Sequence, residues 1–168
     1  MLQQGPSQED APLRDQAARG GSLALAQVIQ RRLPPASTGE MLLAVYEQAL
    51  ATLWTQLVPL MDHPAVRAIF DRAIQRARRR QPLAGQIQVA ETRPDCGALR
   101  AQVPQLAPET LSDALAALAQ EIDEVVASLI GPELFVTLLG DVELELIRQG
   151  AGHEPGNDHP EVRPYSPA

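Results

Sequence analysis

A chain of 168 residues with 45% hydrophobic content is long enough for one domain with a real core, and an aromatic share of 3% leaves the packing to Leu, Ala, Val and Ile. The net charge of −7 argues against general affinity for nucleic acid or anionic membrane, since both require a cationic face. All fourteen basic residues are arginine, which excludes lysine Schiff-base chemistry and a P-loop lysine, and Cys96 as the only cysteine excludes an intrachain disulfide.

Residues 1–21 are rich in Gln, Gly, Pro, Asp and Arg without an apolar period, the composition of a disordered arm. They lack the basic start and apolar stretch of a secretory leader, and no window approaches eighteen apolar residues. The expectation is a cytoplasmic protein without a membrane span. From Ser22 the run SLALAQVIQRRL predicts a first helix capped by Ser22 and closed by Pro34-Pro35.

Ser37 and Glu40 match a capping box ahead of a long helix with its seam at Leu43, Tyr46, Leu50, Leu53 and Leu57. Pro59 predicts its end near Leu57. Asp62 and Pro64 start the next helix, in which Val66, Ile69, Phe70, Ala73, Ile74 and Ala77 form a stripe at i, i+3, i+4, i+7 spacing. Residues 81–108 read as a crossover lying across the bundle, with a strand-like Gln86–Val89 that has no obvious partner and a short helix after Asp95.

From Leu111 to Gln149 two helices are hinged at Gly131-Pro132. Leu111, Leu115, Leu118, Ile122, Val125 and Leu129 are spaced alternately four and three apart, as in a coiled-coil seam, and Phe135, Leu139, Val142 and Leu146 repeat the pattern. Leu134, Leu138 and Leu144 lie off that seam. A helix apolar on two sides is buried on two sides, either within the monomer or against a partner. Residues 150–168 return to Pro, Gly and polar residues and read as a second disordered end.

The chain therefore predicts an all-α bundle of four to five helices, spanning 22–149, with a long crossover and disordered termini. Leu134, Phe135, Leu138, Leu139, Val142 and Leu146 are the expected interface with a protein partner or a second copy, as in a homodimer. Arg76, Arg78, Arg79 and Arg80 are a candidate patch for an anionic partner, against the plainer reading of cations complementing a helix C-terminus. Without interleaved aromatics, nucleic acid is the weaker form of that reading. The acidic residues Glu121, Asp123, Glu124, Glu133, Asp141, Glu143 and Glu145 read as a solvated face opposite the arginines.

Cys96 reads as a small buried residue rather than a nucleophile. His153, Glu154, Asp158 and His159 lack the compact spacing of a dedicated metal site. No catalytic, cofactor or phosphate-loop motif stands out, so the expected function is non-enzymatic: an adaptor, regulator or assembly subunit that self-associates through 111–149. The alternative is a ligand-sensing domain with a small apolar pocket near Trp54 and Phe70.

Overall fold

The structure is a computed structural model that describes residues 24–151. The expected disordered ends, the Ser22 cap and the tail residues His153, Glu154, Asp158 and His159 lie outside the described residues, apart from Gly150 and Ala151. The architecture is an all-α bundle. Its helices are α1 (Leu25–Gln30), α2 (Gly39–Leu57), α3 (His63–Arg80), α4 (Gly97–Arg100), α5 (Pro108–Ile130) and α6 (Pro132–Ala151).

The first helix is shorter than the expected Ser22–Leu33, yet Leu25, Val28 and Ile29 are fully buried and tie it to the core. The start of α2 differs from the sequence expectation in its cap. Thr38, not Ser37, accepts from the Met41 amide (3.3 Å), while the Ser37 hydroxyl donates to the Pro34 carbonyl (2.6 Å). The Pro34-Pro35 turn draws Ser37 backwards, and the next hydroxyl along takes the capping role.

The predicted seam of α2 is buried throughout, and the helix ends at Leu57 as Pro59 requires. Asp62 caps α3 by accepting from the Ala65 amide at 2.8 Å, and all six predicted stripe residues of α3 are buried. Trp54 of α2 packs on Phe70 of α3 with ring centroids 5.2 Å apart.

The crossover contains the strand partner that the sequence did not reveal. Gln88–Val89 (β1) pairs antiparallel with Pro94–Asp95 (β2), a hairpin closed by the Ala90 amide on the Arg93 carbonyl (3.0 Å). Two residues per strand, one of them proline, carry no alternating pattern to read. Ala84, Ile87, Cys96, Leu99 and Val103 are buried, so the crossover is a wall of the core.

Pro108 starts α5 three residues before the apolar seam, because proline lacks only an amide that the first turn leaves unpaired anyway. At the hinge Gly131 takes φ 87°, the left-handed region that a side chain disfavours, and Pro132 begins α6 immediately. Helices α3 and α5 are antiparallel: Arg76 meets Glu124 and Arg80 meets Glu121. Helices α2 and α6 touch through Gln48 and Gln149. No described helix is long and apolar enough to cross a membrane.

The two candidate caps are separable experimentally. Thr38→Ala should lower stability by about 1 kcal/mol in urea unfolding, and Ser37→Ala by less than half as much. Equal effects would mean that the hydroxyls share the cap.

Candidate functional site

The expected interface on α6 divides sharply. Phe135, Leu138, Leu139, Val142 and Leu146 are buried in the core, and of the six residues only Leu134, at 47% exposure, reaches solvent. The physical reason is that α6 packs against both α2 and α5, so its two apolar faces are spent inside the monomer. What faces outward is a different stripe, Leu134, Thr137, Asp141 and Leu144, with Gly140 and Ile147 beside it. A Cβ built on Gly140 would meet nothing within 4 Å, so no packing inside the monomer demands a glycine there. Glycine in a helix interior costs about 1 kcal/mol relative to alanine.

Leu129 is a second correction. The four-three spacing assigns it to the seam, yet it is 60% exposed. It sits in the last turn of α5, opposite the start of α3, where the partner helix runs out. There it forms one wall of a groove of about 460 Å³ between α3 and α5. Buried Ile69 and Val125 make the floor, Met61, Ala65 and Ala68 make the other wall, and Arg72 stands at the lip. Such a surface accepts aliphatic side chains and one carboxylate. Exposed Leu60 follows α2 at the same end of the bundle, and exposed Leu134 opens α6 there.

The ligand pocket expected at Trp54 and Phe70 is occupied by the two rings themselves, 2% and 0% exposed and in contact. The groove that forms uses the outer side of the same helix, next to Ile69. Sequence reasoning overlooked it because Ala65 and Ala68 are small and ambiguous, and because Val125 and Leu129 arrive from a helix sixty residues away. The available signal was Met61, Ala65, Ala68 and Arg72, spaced as a stripe beside the core face.

The arginine run also divides. Arg76 Nε lies 2.7 Å from Glu121 Oε2, in ion-pair contact but poorly aligned for a hydrogen bond, and Arg76 Nη2 donates to Glu124 Oε2 (2.7 Å). Arg80 Nη1 donates to Glu121 Oε1 at 3.1 Å. Arg78 and Arg79 have no ion-pair partner among the described residues. The four-arginine patch is therefore two structural cations and two solvated ones.

Two acidic residues leave the expected solvated face. Glu121 is 3% exposed between its two arginines. Asp123 is half-buried and accepts the Leu25 amide on both carboxylate oxygens (3.2 Å each), anchoring the start of α1 across the bundle. Burial pushes its pKa up to about 7, with Glu124 adding to the rise and the Leu25 amide opposing it. Tyr46, also buried, is raised to about 12 by burial and by Asp123.

Cys96 is buried, as expected, and its thiol is raised to about 12 by burial, Glu47 and Asp95 against the lowering effect of Arg100. Arg100 binds Glu47 and Glu40. That thiol is unreactive at neutral pH.

Two measurements follow. Leu139→Ala should lower stability by about 2–5 kcal/mol, as core truncations do, and Leu144→Ala by less than about 0.5 kcal/mol. Equal small losses would return the Leu139 face to an interface. The second concerns pH. Folded Asp123 keeps its proton to about pH 7, whereas the ordinary carboxyl releases it near 3.8. Between those values the folded chain binds more protons, so this group's contribution to stability falls as pH rises. Asp123→Asn should remove that decline and raise the pH 8 melting temperature relative to wild type. An unchanged profile from pH 4.5 to 8 would refute it.

No protein-family model matches the chain, and no curated protein or solved structure matches it, so its functional reading rests on the residues above.

Proposed function

We propose that this chain is a non-enzymatic helical interaction module, an adaptor, regulator or assembly subunit, whose contact surface is the outer side of α6 together with the apolar end of the bundle. The observation that carries the reading is the set of large aliphatic side chains left in solvent at Leu60, Leu129, Leu134, Leu144 and Ile147, beside a groove able to receive such side chains. The groups with displaced pKa values are accounted for by packing. Tyr46 and Cys96 are buried among core residues, and Asp123 holds α1 in place. None of the three lines the groove.

Anionic partners are the weaker reading, because Arg76 and Arg80 are engaged by Glu121 and Glu124. A partner is instead expected to be protein, and the cytoplasmic assignment rests on the single buried thiol.

The test combines light scattering with a pull-down on the full chain. A specific protein contact, with a second copy or another protein, is expected, and Leu129→Asp should abolish it without changing the circular dichroism. A strict monomer at roughly 100 µM, a concentration that populates complexes of micromolar Kd, which also retains no protein, overturns the proposal.

A further inference from the structure

The exposed stripe of α6 and the groove between α3 and α5 have the chemistry of two halves of one contact. We infer that the groove receives α6 of a second copy of this chain, with Leu134 between the apolar walls that Ala65 and Leu129 provide and with Asp141 against Arg72. The inference rests on the interaction-module reading and names the partner.

Charge is the first reason for choosing a second copy. Helix α3 carries six arginines against one aspartate, and α6 carries four acidic residues against one arginine. At the proposed contact, Arg72 stands at the groove's lip without an ion-pair partner among the described residues. Asp141 lies on the outer stripe of α6 in the same condition. Among the described residues, Arg67 and Asp71 of α3 pair with each other at 3.8 Å and are exposed on both sides. An arginine at the edge of an apolar groove selects a carboxylate flanked by aliphatic side chains, and α6 offers one.

Spacing is the second reason. Ala65 to Arg72 and Leu134 to Asp141 are both seven-residue steps, each about 10.5 Å along a helix at roughly 1.5 Å per residue. Both steps return to nearly the same helix face. When α6 lies parallel to the partner's α3, Leu134 therefore reaches the apolar wall at the point where Asp141 reaches Arg72. Between these two contacts, Ala68 faces the part of α6 that holds Thr137 and Gly140. Small side chains on both helices let the backbones approach, and the open space around Gly140 is then filled by the partner.

The topology allows closure. Helices α3 and α6 both pack against α5, so a two-fold axis beside α5 would set each copy's α6 at the other's groove, and the assembly ends at a dimer.

The experiment is a charge exchange on the full chain, followed by analytical ultracentrifugation. Wild type should sediment with twice the mass of one chain. Arg72→Asp and Asp141→Arg should each weaken the dimer about tenfold, and the double variant should recover most of the loss, as expected for a directly coupled pair. Both sites are on the surface, and circular dichroism should show the wild-type helix content in every variant.

A wild type that is monomeric at roughly 100 µM overturns the inference. So do single variants that dimerise like wild type, or a double variant no tighter than the singles. If the monomeric wild type still retains a different protein, this inference fails and the interaction-module reading stands. If it retains none, both fail.

Discussion

The register between α3 and α5 is the constraint on which the rest of the molecule depends. Glu121 is buried on α5 with only Arg76 and Arg80 to answer its charge. Removing both arginines would leave that carboxylate buried without a cation, and such a charge costs several kcal/mol. An aliphatic seam by itself tolerates slips of a turn, since Leu and Val pack almost as well one turn away. The Arg76–Glu121–Arg80 cluster adds two ion pairs to the observed register. That register places Leu129 beyond the end of its partner helix, next to Ala65 and Met61, so the groove is a consequence of the register.

Composition reinforces this arrangement. With Trp54 and Phe70 as the central aromatic pair and Tyr46 and Phe135 as further buried rings, the rest of the core is almost entirely Leu, Ile, Val and Ala. Ala73 and Ala77 on α3 and Ala114 and Ala119 on α5 are fully buried. Small residues there let helix axes approach closely and leave larger side chains to interdigitate above and below. The same habit on the outer side of α3, at Ala65 and Ala68, leaves a depression because no third helix covers it.

The seams of α2 and α3 were legible in the sequence because each helix shows one apolar face with a regular period and a recognisable start. The all-α class followed from them. Other features were hidden for definite reasons. Thr38 and Ser37 are equivalent capping residues by type, and only the Pro34-Pro35 turn separates them. The β1–β2 hairpin is too short to alternate.

On α6, the spacing showed two apolar faces but could not say whether a partner or the monomer covers the second. The answer depends on where α2 lies, and Phe135, Leu138, Leu139, Val142 and Leu146 belong to the core. Glu121 and Asp123 resemble every other acidic residue in a helix. Their difference lies in Arg76, Arg80 and the Leu25 amide, all distant in sequence.

The walls of the groove and the outer stripe of α6 share one property that the core lacks. Their residues can change without disturbing the packing that defines the fold. Leu129, Leu134, Leu144 and Ile147 leave roughly half of their surface in water, and burying it in the monomer would need another helix. Nor does the monomer need glycine at position 140, where alanine would favour the helix and touch nothing.

A sequence that strengthens the inside of α6 with Phe135, Leu139 and Val142 while leaving a weak helix residue and bare leucines on its outside is balancing two requirements. The inner face sets the fold. The outer face is the one that the proposed contact would use. For a helix this acidic, a complementary surface must combine apolar area with an unpaired cation, the combination that Ile69, Val125 and Arg72 provide.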